Sequence, residues 1–334
     1  MDIKLAENQT PLVTFVIFTY NQRDYILEAI NGAIAQNYAN LEIIISDDCS
    51  SDGTFELVKS FVDSYTGPHT LIANQTMENK CTVGHFFDVV DLANGRLLIL
   101  SAGDDISYPD RVRRIVSVWL SDKAIALFSN YDLIDERGSV LQKNFSPNLR
   151  SELAEDIFRK SGQPDIHGAS SAYDLDFVKI LPRPTERFFF EDTFMTFMLY
   201  LHGKKITKID EALVAYRTHA ESLSNSGLVR QSIKLIVDGQ RKAEIYTLNK
   251  YQLYLFMVDH PARLFDSNNN GNINLFALKK YMSRLEAEGQ WIEAGLINRI
   301  QSLVRLRHDR KFVIWMIPRL LGIHIFSLLR FIRG

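Results

Sequence analysis

The chain has 334 residues, of which 46% are hydrophobic and 23% are charged, a composition typical of globular proteins. Its formal net charge of −2 argues against a nucleic-acid partner, because nucleic acids bind to strongly basic surfaces. The length favours one large domain with a smaller one, and the widely spaced Cys49 and Cys81 imply neither a disulfide scaffold nor a metal site.

Short apolar runs alternate with amphipathic helical patterns in the first part of the chain. Strands are predicted at 12–19, 41–46, 70–73, 96–101 and 124–130, and helices at about 25–34, 52–65, 85–93 and 108–120. Buried strands that alternate with helices predict an α/β fold, with a mostly parallel sheet covered by helices on both faces. Sheets of this kind bind their ligands beyond the carboxyl ends of the strands, so a functional site is expected there.

The second part of the chain follows a different pattern. Residues 131–225 are more polar and mixed, whereas a long helical periodicity begins at about 226. We therefore predict a first domain over 1–225 and a helical C-terminal region over 226–334.

The last part of that region, 303–334, combines Arg and Lys with Trp, Phe, Ile and Leu. Its apolar runs are too short to span a bilayer, and the composition is typical of a helix that lies in a membrane interface. A terminal helix packed on the protein, or a contact in a homo-oligomer, is the alternative. Because the first residues lack the features of a secretory signal, we expect a cytoplasmic protein that is peripherally associated with the inner face of the membrane.

Acidic pairs follow two of the predicted strands. Asp47 and Asp48 end the second strand. Asp104 and Asp105 end the fourth. A single acid at such a place is often a helix cap or a turn former, but two adjacent carboxylates repel each other and are commonly stabilised by a divalent cation. Oxygen ligands suit Mn²⁺ or Mg²⁺, which typically bridge to phosphate, so Asp104 and Asp105 predict a metal site.

Several motifs in the same order resemble family 2 glycosyltransferases, which have a GT-A fold. Residues 13–54, with "TYN" at the end of the first strand and "DDCSSDGT" after the second, resemble the start of that family. The segment "LSAGDDISYPDR" (100–111) resembles its metal motif, and "FFFEDTF" (188–194) opens a segment that resembles its acceptor side. The resemblance implies an inverting transfer of a sugar from a nucleotide diphosphate donor, with UDP favoured. The implied acceptor is a hydroxyl of a saccharide or lipid-linked saccharide in bacterial surface polysaccharide or glycan synthesis.

The resemblance also implies a role for each matching residue. The residues expected to line the nucleotide site are Thr19, Tyr20, Asn21, Asp47, Asp48 and Asp104. Asp105 is the expected main ligand of Mn²⁺ or Mg²⁺, with Asp104 and His219 as further ligands. Asp192 matches the catalytic base, and Glu191 is its neighbour.

Three further residues bear on the expected site. Ala102 stands where the family's fuller metal motif has another acid, so we expect a shortened form of the motif. His167 lies in the loop that usually meets the acceptor and is assigned to acceptor binding. Arg217 is interpreted as a solvated ion-pair partner rather than as a phosphate ligand.

Two other functions remain as alternatives to sugar transfer. A sugar-phosphate nucleotidylyltransferase also uses a nucleotide-binding α/β sheet and Mg²⁺, but it needs a Gly-rich phosphate loop, and "TYNQRDY" after the first strand has no glycine. A catalytically inactive relative that binds nucleotide or partners is the second alternative, and the presence of Asp105 and Asp192 argues against it.

Overall fold

A computed structural model describes residues 10–147, 166–185 and 187–219, together with Gln252 and Phe256. The predicted domain boundary near 225 and the predicted membrane-interface segment, 303–334, lie outside the described residues. No helix within the described residues is long and apolar enough to cross a membrane.

The described residues form strands and helices in the following chain order. The first part contains β1 (Val13–Thr19), α1 (Ile26–Ile34), β2 (Leu41–Asp47), α2 (Thr54–Ser64), β3 (Thr70–Gln75), α3 (Cys81–Leu92) and β4 (Leu97–Ala102). The next part contains β5 (Ile106–Ser107), α4 (Arg111–Asp122), β6 (Ala126–Ile134) and β7 (Val140–Phe145). The last part contains a 3₁₀ turn (Gly168–Ser170), β8 (Ser171–Asp174), α5 (Leu175–Lys179), α6 (Glu191–Leu201) and β9 (Ile206–Arg217).

The strands form one mixed sheet in the order β3-β2-β1-β4-β8-β6-β9-β5, and β7 also pairs with β6. β1 runs parallel to β2 and to β4, and β2 runs parallel to β3. β8 lies antiparallel between β4 and β6, whereas β9 runs parallel to β6. The predicted parallel sheet is therefore confirmed for β1 to β4, and the antiparallel β8 makes the complete sheet mixed.

The register of the parallel strands brings their carboxyl ends to one edge of the sheet. Thr19 at the end of β1 is paired with Asp47 at the end of β2, and Phe18 is paired with Ala102 at the end of β4. Just beyond the strands, the backbone N–H of Asp48 donates to the carbonyl oxygen of Thr19 over 2.9 Å. The "TYN" segment and both acidic pairs therefore lie at the same edge, where the sequence predicts the site.

The core is formed by the sheet and by the apolar faces of the helices. β1 and β2 are buried almost throughout, which explains their continuous apolar runs. On α1, the buried residues recur at helical spacing: Ile26, Ala29, Ile30, Gly32 and Ala33. Gly32 allows α1 to approach β5 closely, because a Cβ atom there would lie 2.9 Å from the backbone nitrogen of Ser107. Through this contact, the segment that follows Asp104 and Asp105 packs against α1.

Two helices begin at residues other than those predicted. α3 begins at Cys81 rather than at His85, and the Cys81 N–H donates to the side-chain oxygen of Asn79 over 3.2 Å. α4 begins at Arg111, because the preceding residues form a turn in which the Arg111 N–H donates to the Tyr108 carbonyl over 3.0 Å. Polar side chains and turns, which periodicity does not register, fix both starts.

Candidate active site

The second acid of the pair after β4, Asp105, is completely buried. Its Oδ1 atom accepts the backbone N–H of Arg217 over 2.8 Å, and its Oδ2 atom is sealed from solvent without a hydrogen-bond partner among the described residues. Burial and the negative charge of Asp104 raise the pKa of Asp105 well above its usual value, against the opposing effects of the Arg217 N–H and the Arg111 guanidinium. Asp105 is therefore an interior carboxyl group rather than one that faces solvent.

Arg111, the first residue of α4, supplies the positive charge that balances this interior acid. It is fully buried, and its Nη1 atom donates to the Ser107 hydroxyl over 2.8 Å. Its Nη2 atom donates to the carbonyl oxygens of Leu100, at the end of β4, and of Ala169, at 3.1 Å. Burial lowers the pKa of Arg111 to about 9, and the charge of Asp105 acts in the opposite direction. Arg111 therefore connects β4 to the 3₁₀ turn, and its positive charge offsets part of the repulsion between the two adjacent acids.

The first acid, Asp104, is the member of the pair that remains partly exposed. Its Oδ2 atom lies 3.0 Å from Nε2 of His219, and the Asp104 and His219 side chains are 13% and 10% exposed. The oxygens of Asp105 are sealed from solvent, whereas the side chains of Asp104 and His219 keep a small exposed fraction, and which acid is the main ligand stays a prediction. A carboxylate oxygen and an imidazole nitrogen are both ligands that Mn²⁺ accepts, so this pair fits the predicted cation. Within the described residues, no group of three or more His, Cys, Asp or Glu side chains has a metal-binding arrangement.

Arg217, at the end of β9, is buried instead of solvated. Its side chain is 1% exposed, which corrects the interpretation of this arginine as a surface ion-pair partner. The Nε atom donates to the carbonyl oxygen of Asp104 over 2.8 Å, and Nη1 donates to that of Glu136 over 3.0 Å. Nη2 forms an ion pair with Glu28 of α1 at 2.8 Å. One guanidinium group therefore connects the acidic pair with α1 and with the turn after β6.

The acids after β2 are held by hydrogen bonds within the protein. Asp47 is fully buried, and its Oδ1 atom accepts the Ser50 N–H over 2.8 Å and the side-chain amide of Gln75 over 3.1 Å. Asp48 is 4% exposed and accepts the backbone N–H of Lys80 over 2.8 Å. Burial raises the pKa of Asp48, although the donors around its carboxylate oppose that rise. The two side chains thus shape the turns at the strand ends where a nucleotide is expected.

The "TYN" residues lie beside those turns and differ in exposure. Thr19 is 2% exposed, and its hydroxyl oxygen has no hydrogen-bond partner among the described residues. Tyr20 is 50% exposed, so its ring is available to a ligand. Asn21 has a φ angle of 51°, and its backbone N–H donates to the Ser50 hydroxyl over 2.8 Å while its side-chain oxygen accepts the Ser51 N–H over 2.9 Å. Asn21 therefore fixes the loop, and Tyr20 is the side chain that the loop presents.

Glu191 and Asp192 occupy the first turn of α6. A helix N-terminus stabilises negative charge, and Oδ1 of Asp192 accepts the N–H of Thr193 over 2.6 Å. Burial and the negative charge of Asp192 raise the pKa of Glu191, and hydrogen bonds from the backbone N–H groups of Glu191 and Asp192 oppose that rise. The Glu191 carboxyl lies directly against Gly168, where an added Cβ atom would collide with its Oε1 atom. The Glu191 carboxyl group therefore gives up its proton less readily than an ordinary glutamic acid does.

His167 precedes the turn that contacts Glu191, and it is surrounded by aromatic rings. Its ring stacks on Tyr131 with a centroid distance of 4.6 Å and meets Tyr216 edge-on at 5.0 Å. Its Nδ1 atom lies 3.2 Å from the Ser170 hydroxyl. Burial lowers the pKa of His167 to about 4, so the imidazole is neutral at physiological pH. A neutral ring in this position offers an apolar face. The ring nitrogen that does not face Ser170 can donate or accept one hydrogen bond, depending on the tautomer.

The two buried arginines were not identified as site residues from the sequence. For Arg111 a signal was available, because the other buried residues of α4 include Val112, Ile115 and Trp119, and helical spacing places Arg111 on their face. An arginine on the apolar face of a helix needs an interior partner. For Arg217 the sequence carries no such signal, since its partners come from distant parts of the chain.

Comparisons with known proteins agree with this geometry. The family model "Glycosyl transferase family 2" matches residues 14–181. The chain is 26% identical to EpsE of Bacillus subtilis (strain 168) over 239 residues, which are 68% of this chain and 84% of EpsE. It is 31% identical to the succinoglycan biosynthesis protein ExoO of Rhizobium meliloti (strain 1021) over 137 residues, which are 41% of this chain and 38% of ExoO.

A solved structure supports the fold. The mannosyltransferase PcManGT from Pyrobaculum calidifontis, in complex with GDP-Man and Mn²⁺, is similar with a TM-score of 0.53 and 13% identity. The similarity covers 95% of this chain and 87% of PcManGT. At this identity the likeness shows the fold alone, and it confirms the predicted α/β fold of GT-A type.

Proposed function

The chain belongs to glycosyl transferase family 2, and on that premise we propose that it is a metal-dependent inverting glycosyltransferase. It moves a sugar from a nucleotide diphosphate donor to a hydroxyl group of a saccharide acceptor. The name of ExoO, a succinoglycan biosynthesis protein, favours an acceptor in bacterial surface polysaccharide synthesis, and we propose a lipid-linked one. UDP is the nucleotide to test first, followed by GDP, because PcManGT was solved with GDP-Man.

The proposed reaction is a single displacement with Asp192 as the base. Asp192 takes the proton of the acceptor hydroxyl, and the hydroxyl oxygen forms a bond to the anomeric carbon. The oxygen attacks from the face opposite the diphosphate, and the bond between that carbon and the diphosphate breaks with its electron pair leaving on the diphosphate. The configuration at the carbon is therefore inverted. The raised pKa of Glu191 supports this role, because a neighbouring carboxyl group that keeps its proton more readily favours the charged form of Asp192.

Asp104 and His219 are proposed to hold the cation. A bound Mn²⁺ or Mg²⁺ would neutralise negative charge on the departing diphosphate. The separation of 3.0 Å between Asp104 and His219 side-chain atoms and their partial exposure support this assignment. Asp105 then contributes from the interior, where it accepts the Arg217 N–H and faces the charge of Arg111.

The remaining predicted residues keep their roles as proposals. The side chains and backbone proposed to surround the nucleotide are those of Thr19, Tyr20, Asn21, Asp47 and Asp48. His167 is proposed to contact the acceptor, and its neighbouring rings suit the apolar face of a sugar.

The observation that carries the proposal is the position of Arg111 between the two halves of the site. Its Nη2 atom contacts both the end of the strand that leads to Asp104 and the carbonyl of Ala169. The residue before Ala169, Gly168, lies against Glu191 at the start of α6. A sugar transfer requires a diphosphate site and a base on opposite sides of one carbon atom. Arg111 ties together the segments that carry these two groups.

A donor screen followed by a turnover assay tests the proposal. Nucleotide sugars are added to the full chain with and without Mn²⁺, and the melting temperature is measured, since only ligands of the native state raise it. The donor that raises it most is then incubated with saccharide acceptors, and the released nucleoside diphosphate is quantified. Release that requires both acceptor and Mn²⁺ supports the proposal. Binding without release in all pairs would instead favour an inactive nucleotide-binding relative.

We also propose that the protein acts at the cytoplasmic face of the membrane. The support comes from the basic and apolar composition of 303–334, a segment outside the described residues. A homo-oligomer remains the alternative role for this segment.

A further inference from the structure

We propose that Tyr25 and Arg217 are positioning residues that hold His219 against Asp104 and so set the affinity of this pair for a divalent cation. The inference rests on the proposed function, because the cation is the one proposed for sugar transfer. It concerns the residues behind the ligand pair rather than the ligands themselves.

Tyr25 contacts both residues at the end of β9. Its ring centroid lies 5.1 Å from that of His219, with the planes tilted by 34°. The guanidinium carbon of Arg217 lies 4.8 Å from the centre of the same ring. Ring–ring and cation–π contacts of this kind stabilise the positions of the side chains that form them. Tyr25 therefore restrains the imidazole that faces Asp104.

The position of Tyr25 is itself fixed by the start of α1. It is the residue that precedes the helix, and its backbone N–H donates to the Gln22 carbonyl over 3.0 Å. No side-chain capping bond holds the helix start, so Tyr25 is free of a capping role. Its ring contacts, rather than helix initiation, explain an aromatic residue at this place.

Arg217 fixes the other side of the ligand pair. Its Nε atom donates to the Asp104 carbonyl oxygen over 2.8 Å, and its backbone N–H donates to Oδ1 of Asp105 over 2.8 Å. The same residue lies two positions before His219, so one anchor sets the separation of the two ligand-bearing segments. Glu28 of α1 forms an ion pair with the guanidinium at 2.8 Å, so Arg217 is also connected to α1. A lysine could not form this set of contacts, because it lacks the planar fork of donors.

This support matters because His219 lies beyond the last residue of β9. The strand ends at Arg217, and the Thr218 N–H that follows donates to the Ile134 carbonyl over 2.9 Å. A ligand on such a segment loses conformational freedom when it binds a cation, and that loss weakens binding. Residues that restrict the imidazole beforehand reduce the loss, as partners behind metal ligands commonly do.

Manganese titration of the full chain tests the inference without nucleotide or acceptor. Free Mn²⁺ is followed by electron paramagnetic resonance, and Kd is compared between the wild type, Tyr25→Leu and Tyr25→Phe. We expect Tyr25→Leu to bind Mn²⁺ about 10-fold more weakly, because it removes the ring behind His219. Tyr25→Phe keeps the ring and should stay within about twofold of the wild type.

Arg114→Gln is the matched control for a general effect of removing a charged contact on β9. Arg114 forms an exposed ion pair with Glu211 of β9 at 2.8 Å. This ion pair involves neither Asp104 nor His219. We expect its Kd for Mn²⁺ to equal that of the wild type. Far-UV circular dichroism and melting temperature are measured for every variant, since a merely structural role would change these without a selective loss of Mn²⁺ binding.

The possible outcomes separate this inference from the proposed function. Wild-type Kd in Tyr25→Leu would overturn the positioning role while leaving the metal assignment intact. A wild-type chain that binds no Mn²⁺ would overturn the metal assignment together with the positioning role. If Tyr25→Leu fails to fold, Glu28→Gln replaces it, because Glu28 is half exposed and its loss weakens the Arg217 anchor. We expect Glu28→Gln to raise Kd about threefold, and an unchanged value would overturn the inference.

Discussion

The backbone N–H of Arg217 donates to Oδ1 of Asp105 over 2.8 Å, although the two residues are 112 positions apart in the chain. This bond turns Asp105 into the interior and leaves Asp104 beside His219 at the surface. Two adjacent carboxyl groups thus have different environments. Asp105 is enclosed by the protein, whereas Asp104 keeps a small exposed fraction.

Alanine substitutions at the two acids should therefore affect different properties: Asp105→Ala mainly the stability, and Asp104→Ala mainly the binding of Mn²⁺. Asp105→Ala removes the acceptor of the Arg217 N–H and the charge that faces the buried Arg111, so we expect a loss of about 3 kcal/mol in the free energy of unfolding. Asp104→Ala removes a partly exposed group and should cost about 1 kcal/mol, but it should abolish Mn²⁺ binding. Urea denaturation and Mn²⁺ titration measure the two effects.

Each variant controls for the other, since the same side-chain atoms are removed at neighbouring positions. A large loss of stability in Asp104→Ala with retained Mn²⁺ binding would contradict the assignment. So would an Asp105→Ala variant that keeps wild-type stability and loses the metal.

Asp192→Asn should abolish sugar transfer without loss of donor binding. The amide cannot take the proton of the acceptor hydroxyl, so we expect kcat to fall by at least about 100-fold. The substitution keeps the shape of the side chain at the start of α6, so the change in melting temperature caused by the nucleotide sugar should persist. Released nucleoside diphosphate is the measurement, and turnover near the wild-type rate would place the base elsewhere.

The sequence was sufficient to predict the part of the fold that local patterns determine. The predicted end of β1, Thr19, was correct, and β2 ends one residue after the predicted Ser46. Both strands are buried on both faces and read as continuous apolar runs. β8 could not be predicted, since it is only four residues long and gains its stability from β4 and β6 on either side. Its antiparallel direction follows from those partners rather than from its own sequence.

The same distinction holds for the candidate site. The position of the acids after β4 follows from a local motif, and the structure places them at the predicted edge. Which acid faces the surface depends on Arg111 and Arg217, and the contacts of Arg217 come from segments far away in the chain. A single sequence does not reveal such long-range partners, and it therefore does not reveal which of the two acids keeps its exposure.

The pH dependence of stability should reveal the buried histidine His85. It is 3% exposed, its Nε2 atom lies 2.7 Å from the Ser46 hydroxyl, and burial lowers its pKa to about 4. An unfolded histidine binds its proton near pH 6.5, so the unfolded state holds more protons between about pH 4 and 6.5. His85 therefore adds stability at neutral pH that is lost as the pH falls through this window.

The measurement compares the wild type with His85→Gln, because other buried groups titrate in the same range and cancel in the difference. From pH 7 to pH 5, the advantage of the wild type should shrink, approaching about 1.4 kcal/mol per pH unit at the acidic end. A difference that is independent of pH would show that His85 is not held neutral in the folded protein.

Deletion of residues 312–334 tests the proposed membrane contact of a segment outside the described residues. The basic and apolar composition of 303–334 predicts binding to vesicles that contain anionic lipid, weakened by salt. The truncated chain should stay in the supernatant after sedimentation with such vesicles and should keep its activity on a soluble acceptor. Precipitation of the truncated chain would instead favour a helix packed on the protein.

Gly168→Ala should disturb the proposed base through its neighbour. An added Cβ atom would collide with Oε1 of Glu191, so the carboxyl group or the 3₁₀ turn has to move. Because the colliding atom is the end of a flexible side chain, we expect a loss of no more than about 1 kcal/mol in the free energy of unfolding and a reduced kcat, with little change in the Kd of the nucleotide sugar. Adding Glu191→Asp shortens the acid and should restore part of the stability, so the double-mutant cycle isolates the contact. Equal losses with and without Glu191→Asp would mean that the collision is relieved elsewhere, and that Gly168 does not hold Glu191 beside Asp192.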